Sequence, residues 1–289
     1  MKLRKFQLYK PQIGRSLVGN TINFITLLFF AAIMVLPMAF SISNAFKPLD
    51  ELFIFPPRFF VRNPTLENFA NLSSLFIDSI VPFSRYISNT FFLTIVGTIG
   101  SILIASAAGY VLEKQEFTGK KVLFKLVVTA LMFTSAVTSI PNYLIMSKLG
   151  WVDNYASILV PAFGSAFNVF LMKQFMVNVP QSILEAARVD GAGEQRIFWR
   201  IVMPMVKPAW LTLIIFSIQA LWGTTGGSFI YSEQLKTLPY ALSQIMSAGI
   251  VRTGASAATA LLMMLVPITV FILTQSNILE TMMSSGVKE

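Results

Sequence analysis

Residues 180–208 read PQSILEAARVDGAGEQRIFWRIVMPMVKP, and more can be inferred from this stretch than from any other. Ser182 and Glu185 have the spacing of a capping box, with Ser at the helix N-cap and Glu three residues later. A short helix is therefore predicted from Ser182 to about Val189. Gly191 follows this helix and suits the left-handed conformation in which many helices end.

A second helix is predicted after this break, because apolar residues recur at helical spacing and would share one face. These residues are Ile197, Phe198, Ile201 and Val202. Pro204 and Pro208 are expected to end the second helix, since proline interrupts the helical hydrogen-bond ladder.

Six residues of this stretch stand at fixed distances from one another: Glu185, Ala186, Ala187, Gly191, Ile201 and Pro204. Their spacing resembles the EAA loop of the membrane subunits of bacterial ABC importers, the segment that docks onto the ATPase. The family usually has Leu directly before the final Pro, where this chain has Met203. The resemblance implies an ATPase-coupling interface formed by these six residues and Asp190, within a cytoplasmic coupling loop of residues 178–207.

The composition is typical of a membrane protein. Mean hydropathy is +0.68, 55% of the residues are hydrophobic and 12% are charged, whereas soluble domains have about 25% charged residues. A soluble all-α protein of 289 residues could not enclose so many apolar side chains in one core. An integral membrane protein is therefore predicted.

Six windows lack Asp, Glu, Lys and Arg for long enough to cross a bilayer, which takes roughly 20 mostly apolar residues. They are residues 16–46, 86–112, 126–147, 154–172, 208–232 and 253–279. We predict an all-α fold with six transmembrane helices, at about 18–43, 87–112, 124–147, 155–177, 208–230 and 254–279. The resemblance implies that residues 1–289 form a single transmembrane domain with the type I ABC importer permease fold. Gly97, Gly100 and Gly109 in the second helix are predicted to let neighbouring helices approach closely.

The basic residues predict the orientation of the chain. With the N-terminus inside, 15 of the 22 Lys and Arg lie in inner segments and seven lie in outer segments, in agreement with the positive-inside rule. The N-terminal segment 1–17, the coupling loop and the C-terminal tail 280–289 are therefore predicted to be cytoplasmic. The net charge of +9 is assigned to membrane lipid and a cytoplasmic partner, and no nucleic-acid partner is expected.

The chain contains no Cys and no His, and it lacks the Gly-x-x-x-x-Gly-Lys-Ser/Thr loop that cradles nucleotide phosphates. We therefore expect no catalytic residue, no metal site and no cofactor in this chain, with ATP and Mg²⁺ bound by partner ATPase subunits. A gradient-driven secondary transporter is the alternative from another class. Such a transporter would need ionisable groups inside the membrane helices, and the six windows contain none.

Polar residues inside the predicted helices are candidates for a translocation pathway: Asn89, Thr138, Asn142, Asn168, Gln219 and Thr224. Pro141 precedes one of them and is expected to kink the third helix. Kinked, partly polar membrane helices often line cavities. Pathway and helix packing are equally open interpretations of this kinked segment.

The fifth predicted helix ends in the sequence WGTTGG at residues 222–227. The glycines predict a flexible loop, with Gly226 and Gly227 supplying positive φ angles. In the permeases that this region resembles, the loop faces the solute-binding protein, and Asn commonly follows the Trp where this chain has Gly223. The resemblance implies that Trp222, Gly223, Gly226 and Gly227 are candidate contacts of that binding protein.

Two further segments resemble carbohydrate importers of the maltose type: the Pro-rich outer segment 55–69 and the Gly-Val-Lys tail at 286–288. The resemblance implies a permease subunit in the bacterial cytoplasmic membrane that carries a carbohydrate, especially an oligosaccharide. Its expected partners are a second homologous permease subunit in a heterodimer, two ATP-binding subunits and a solute-binding protein. A permease for peptides, polyamines or ions remains an alternative, because many ABC importers share the EAA loop.

Overall fold

The computed structural model describes residues 17–75, 81–247, 249 and 252–285, and within these ranges the chain is helical, with no β-strand. In chain order the helices are α1 (Leu17–Ala45), α2 (Leu49–Leu52), α3 (Glu67–Leu75), α4 (Phe83–Lys114), α5 (Lys120–Ala130), α6 (Ser135–Lys148), α7 (Ala156–Phe163), α8 (Ala166–Val177), α9 (Gln181–Val189), α10 (Glu194–Met205), α11 (Lys207–Trp222), α12 (Leu238–Ser247) and α13 (Thr253–Ser285). A π-helical turn, Phe198–Val202, lies inside α10, and a 3₁₀ turn, Glu233–Leu235, precedes α12. Residues 1–16 of the predicted N-terminal segment and 286–289 of the predicted tail lie outside the described residues.

Four helical stretches are long and apolar enough to cross a membrane by themselves. They are Val18–Ala45, Phe83–Lys114, Ala156–Val177 and Thr253–Gln275. Two further pairs of helices pass the same test only when each pair is taken together: α5 with α6, which meet at 112°, and α10 with α11, which meet at 78°. In the second pair, α10 lies within the coupling loop 178–207. Counting each pair as one span gives six spans in the described part of the chain, which is the predicted number.

Three details differ from the prediction. The bend of the third span lies at residues 131–134, and Pro141 sits inside the continuous helix α6. The fifth span ends at Trp222 and not near residue 230, because the glycine-containing segment that follows turns away from the helix axis. The last helix continues to Ser285, past the predicted end at residue 279.

Helix α4 is central to the bundle and packs against α7, α8 and α11. Its glycines allow the close approach of these neighbours. A Cβ atom added at Gly109 would lie 3.0 Å from the backbone nitrogen of Lys173 in α8, and one added at Gly100 would run into the ring of Phe163 in α7. The predicted packing role of these glycines is confirmed.

Helix α4 also separates two ends of the bundle. Near the start of α4, the Asn89 side chain donates a hydrogen bond to the Gln234 backbone oxygen in the segment 223–237. Near the end of α4, the Tyr110 hydroxyl donates a hydrogen bond to Glu194 in the coupling loop 178–207. Asn89 and Tyr110 are about 32 Å apart along the helix axis, close to the roughly 30 Å thickness of a bilayer hydrocarbon core. We call the end with residues 223–237 the loop end, and the end with residues 178–207 the coupling end.

A continuous apolar core lies at the coupling end. It joins buried residues of α4, α8, α9, α10 and α11, among them Tyr110, Met172, Leu184, Ile197 and Leu213. Leu184 and Ile197 are fully buried, and burial of one such side chain contributes about 1.5–3 kcal/mol. The coupling loop is therefore packed into the same core as the transmembrane helices.

We expect any larger side chain at Gly109 to destabilise the protein, because it would disrupt the contact between α4 and α8. Gly109→Leu would press a branched side chain against the backbone of α8, and overpacking of this kind typically costs about 1–3 kcal/mol. We expect the detergent-solubilised variant to unfold at a lower temperature than the unmodified protein. The control is Gly164→Ala, whose Cβ would lie 3.9 Å from its nearest neighbours. Equal melting temperatures for both variants would contradict the packing role of Gly109.

Candidate functional site

The coupling loop begins with α9, which starts one residue earlier than predicted. Pro180 occupies the N-cap position in an extended conformation, with φ −63° and ψ 131°, and no side chain caps the helix. Ser182 and Glu185 both lie inside the helix, so the predicted capping box is wrong. The Glu185 carboxylate is exposed to solvent and is not engaged in capping its own helix.

The end of α9 has the predicted glycine cap. Gly191 has φ +80°, a conformation that costs other L-residues roughly 1–2 kcal/mol. The N–H of Ala192 donates to the carbonyl oxygen of Ala187 at 2.9 Å, and the N–H of Gly191 donates to that of Arg188 at 3.0 Å. These two bonds form a Schellman motif, which sets the direction in which the chain enters α10.

The two faces of α9 differ in exposure. Leu184 is fully buried against the core of the coupling end. The opposite face presents Ile183, Glu185, Ala186, Val189 and Asp190 to solvent, with Val189 88% exposed. An apolar and acidic face of this kind is suited to a docked protein.

The remaining predicted coupling residues lie along α10. Ile201 is half-buried and packs against the same core, whereas Pro204 is exposed in the last turn of α10. The second proline does not end a helix, because Pro208 lies in the first turn of α11. Proline is tolerated there, since the first turn of a helix has no intrahelical partner for its N–H groups.

Glu194 connects the coupling loop to the transmembrane helices. Its carboxylate accepts a 2.7 Å bond from Nε of Arg188 in α9, a 2.6 Å bond from the Tyr110 hydroxyl and a 2.8 Å bond from the Gln115 amide at the end of α4. The bonds from Arg188 and Tyr110 lower the pKa of the Glu194 carboxyl below its usual 4.5, so Glu194 is anionic at neutral pH. The local sequence gives no signal for this role of Glu194, because its partners lie 6, 84 and 79 positions away along the chain.

A cavity of about 710 Å³ lies near the middle of the bundle. Its polar lining consists of Ser101, Ser135, Thr138, Ser165, Asn168, Ser217 and Thr224, and its apolar lining includes Phe133, Phe167 and Phe216. Ser101 is about 18 Å along α4 from Asn89 and about 14 Å from Tyr110. The cavity is therefore close to mid-depth between the loop end and the coupling end.

Asn168 organises the polar side of this cavity. Its amide donates to the Ser101 hydroxyl at 2.6 Å and to the Ser217 hydroxyl at 3.4 Å. The three residues belong to α8, α4 and α11, so one buried amide joins three membrane-spanning helices. The serines were missed as candidates, because a small residue in a membrane helix is equally suited to helix packing.

The structure brings three of the six predicted pathway residues together. Thr138, Asn168 and Thr224 line the cavity. Asn142 and Gln219 are exposed elsewhere on α6 and α11. The sixth, Asn89, is buried at the loop end, where its amide donates at 2.8 Å to the backbone oxygens of Gln234 and Lys236.

The segment 223–237 is tied down by side chains and is not the flexible loop that its glycines predicted. Asn89 is one of these side chains. The Thr90 hydroxyl accepts a hydrogen bond from the Leu238 backbone N–H at 2.8 Å, and the Thr237 hydroxyl donates to the Thr224 backbone oxygen at 2.7 Å. Gly226 and Gly227 do have the predicted positive φ angles, +80° and +48°. These angles shape a fixed turn.

Burial divides the four predicted contact residues of this segment. Trp222 is 3% exposed and donates its indole N–H to the backbone oxygen of Met263 at 2.8 Å. Gly226 is buried against Ile230, whereas Gly223 and Gly227 are exposed. Trp222 is therefore an internal anchor of α11 on α13, which corrects its interpretation as a contact residue.

Gly191 and Gly193 provide a matched pair for testing the coupling-loop geometry. A Cβ atom at either position would meet no atom within 4 Å, but only Gly191 has a positive φ. Gly191→Ala should therefore strain the turn between α9 and α10, whereas Gly193→Ala should not. We expect faster trypsin cleavage at the loop residues Arg188, Arg196 and Arg200 in the Gly191 variant alone. Equal cleavage in both variants would contradict the requirement for a left-handed residue.

Comparison with known proteins agrees with this geometry. The family model described as the binding-protein-dependent transport system inner membrane component matches residues 13–282. The polygalacturonan/rhamnogalacturonan transport system permease protein YtcP of Bacillus subtilis (strain 168) is 31% identical over 205 residues, which cover 71% of this chain and 69% of that protein. The arabinooligosaccharides transport system permease protein AraQ of the same organism is 27% identical over 241 residues, which cover 83% and 84%.

Two solved structures have a similar fold. One chain of a bacterial ABC transporter involved in the import of the acidic polysaccharide alginate superposes with a TM-score of 0.78 at 22% identity, covering 92% of this chain and 99% of that chain. A chain of the bacterial alginate ABC transporter in complex with alginate pentasaccharide-bound periplasmic protein gives 0.54 at 15% identity, with 89% and 90% covered. At these identities the two structures indicate a shared fold.

The matched family model spans nearly the whole chain, and the helices form six spans with a coupling loop packed against them. This protein therefore belongs to the inner membrane components of binding-protein-dependent transport systems, and it has the ABC importer permease fold.

Proposed function

We propose that this chain is the permease subunit of an ABC importer that carries an oligosaccharide. The observation that supports this substrate class best is the chemistry of the mid-depth cavity. Its lining combines serine and threonine hydroxyls and one asparagine amide with phenylalanine rings, and the described lining residues include no ionisable side chain. Hydroxyls and amides both donate and accept hydrogen bonds, as a polyhydroxylated solute requires.

The size and charge of the cavity agree with a sugar. Small-molecule sites typically enclose about 300–1,000 Å³, and this cavity of about 710 Å³ lies within that range. A polyamine or a peptide would bring ammonium or carboxylate groups, and burying those groups without a charged partner is costly. The name of AraQ refers to arabinooligosaccharides, which are uncharged saccharides of this class. The name of YtcP also refers to saccharides, but galacturonans carry carboxylates, for which this lining offers no charged partner.

The exposed face of α9 is the proposed docking site for an ATP-binding subunit. In this proposal Glu185 meets a basic residue of the ATPase, and Ile183 and Val189 provide apolar contact. ATP and Mg²⁺ are bound by two ATPase subunits and not by this chain. When the ATPases close, they push on α9, and the movement reaches α4 through Glu194 and the shared core.

The cavity and the apolar helices around it leave room for a second permease subunit. The cavity is open on one side, where Phe133 of its lining and Val137 of the neighbouring helix α6 are 58% and 63% exposed. We propose that a homologous permease subunit closes this side, as a heterodimer, and that a solute-binding protein delivers the sugar at the loop end.

We propose that the coupling end faces the cytoplasm, as the distribution of Lys and Arg favours. Ser182 and Gly227 are exposed at opposite ends, and the chain contains no native Cys. Ser182→Cys should react with a membrane-impermeant maleimide only after the cells are permeabilised, whereas Gly227→Cys should react in intact cells. Labelling of Ser182→Cys from outside would reverse the orientation.

The docking role of Glu185 can be tested by reversing its charge. Removing one partner of a buried charge pair typically costs about 3–5 kcal/mol, so Glu185→Lys should lose the ATPase during co-purification. The control is Glu116→Lys, at a side chain that is 91% exposed and pairs only with Lys120 among the ion pairs of the described residues. Retention of the ATPase by Glu185→Lys would remove this residue from the interface.

The substrate class is tested with the complete transporter in proteoliposomes. The probes are radiolabelled maltotriose and arabinotriose, which are uncharged, with triglycine and spermidine as the competing classes. We expect ATP-dependent uptake of at least one saccharide and of neither nitrogen compound. Uptake of triglycine or spermidine without any saccharide would overturn the proposal.

A further inference from the structure

A second, smaller groove lies at the loop end and is separate from the mid-depth cavity. It has a volume of about 370 Å³ and is lined by Ser139, Ile140, Tyr143, Leu144, Ser228, Phe229 and Tyr231. We call it the aromatic groove. Three of its seven lining residues are aromatic, and two of those carry a phenolic hydroxyl.

The rings of the aromatic groove are arranged around an open space. The ring centroids of Tyr143 and Phe229 are 6.1 Å apart with an interplanar angle of 33°. The Tyr143 and Tyr231 hydroxyl oxygens are 3.3 Å apart, and Tyr231 is 57% exposed. The groove therefore offers an aromatic face next to a pair of hydroxyls, and a solute can reach both.

Asp153 holds the loop side of this groove in place. Its backbone N–H donates to the Phe229 oxygen at 2.7 Å, and its carboxylate accepts the N–H groups of Tyr231 at 2.9 Å and Ser232 at 2.7 Å. Asp153 itself has φ +61°, the only positive φ of a non-glycine residue in the described chain. The backbone at Phe229 and Tyr231 is thus held in place, which lowers the entropy cost of ordering this part of the groove on binding.

The aromatic groove and the mid-depth cavity are lined by neighbouring parts of the same two segments. Helix α6 lines both, with Ser135 and Thr138 facing the cavity and Ser139 and Tyr143 facing the groove. The segment after α11 also lines both, through Thr224 in the cavity and Ser228 in the groove. A chain molecule that occupies the cavity and extends towards the loop end would enter the groove.

We propose that the aromatic groove is a saccharide subsite that holds one sugar ring of the solute before it reaches the mid-depth cavity. This inference depends on the proposed function. The C–H bonds on one face of a pyranose or furanose ring pack against an aromatic face, whose quadrupole is negative. The sugar hydroxyls at the edge of the ring then form hydrogen bonds with the phenolic hydroxyls of Tyr143 and Tyr231.

The hydroxyls favour a sugar over a lipid chain as the occupant. The Tyr143 and Tyr231 hydroxyls bond each other, and Ser139 donates to the Ala136 backbone oxygen at 3.0 Å. Each of these hydroxyls can still accept a further hydrogen bond, and an acyl chain would leave that capacity unused. A segment of the binding protein or of the second permease subunit is a different occupant, and the experiment separates it from a sugar.

The test uses the complete transporter in proteoliposomes and the saccharide that it imports in the uptake panel. Tyr231→Ala and Phe229→Ala should raise the KM for uptake about tenfold, equivalent to about 1.4 kcal/mol of lost contact. Tyr231→Phe keeps the ring and should have a smaller effect. Basal ATP hydrolysis and the affinity for the loaded binding protein should not change. The control is Phe60→Ala, which removes another aromatic ring that is 75% exposed.

Each other outcome counts against the subsite. An unchanged KM in both alanine variants, in a transporter that imports the saccharide, overturns the subsite and leaves the proposed function intact. A matching loss of affinity for the binding protein would identify the groove as a protein contact. A KM effect that disappears when the lipid composition is changed would identify a lipid site. If the unmodified transporter imports no saccharide, both proposals fall.

Discussion

The Glu194 carboxylate joins the coupling loop to the end of α4, beside a second link in which the Lys114 ammonium donates to the Val179 backbone oxygen at 2.7 Å. Glu194 begins α10, accepts a hydrogen bond from Arg188 in α9, and accepts two more from Tyr110 and Gln115 at the end of α4. The apolar core beneath it includes Leu184 and other residues from five helices. Charge-assisted hydrogen bonds fix direction more strictly than apolar packing does. The loop is therefore oriented by the carboxylate and stabilised by the core.

This arrangement makes α4 the connection between three regions. At the end of α4, Tyr110 is hydrogen-bonded to Glu194 of the coupling loop. The middle of α4 contributes Ser101 to the cavity. At the start of α4, Asn89 and Thr90 hydrogen-bond to backbone groups of Gln234 and Leu238 and so hold the segment 223–237. A displacement of α9 that moves α4 would thus also move the residues of α4 that line the cavity and those that hold the loop end. This is the physical basis of the proposed coupling between ATP hydrolysis and the movement of a solute.

Much of the fold was predictable from local patterns. Charge-free windows located the six spans, and the glycine pattern identified the left-handed turn at Gly191. The errors came from interactions that the local pattern does not contain. Ser182 and Glu185 fit a capping box, but Pro180 lies at the N-cap. The glycines after Trp222 predicted flexibility, but side chains more than 130 positions away, such as Asn89, hold that segment. Glu194, Ser101 and Ser217 gain their roles only when distant helices meet.

We propose that Glu194 transmits movement of the coupling loop to the membrane helices. The most direct measurement compares ATP hydrolysis and saccharide uptake in the same proteoliposomes for Glu194→Ala and for the control Glu116→Ala. Glu194→Ala should keep the bound ATPase and hydrolyse ATP, while the amount of saccharide imported per ATP falls several-fold. An unchanged ratio of uptake to hydrolysis in Glu194→Ala, equal to that of the control, would show that Glu194 does not transmit the movement.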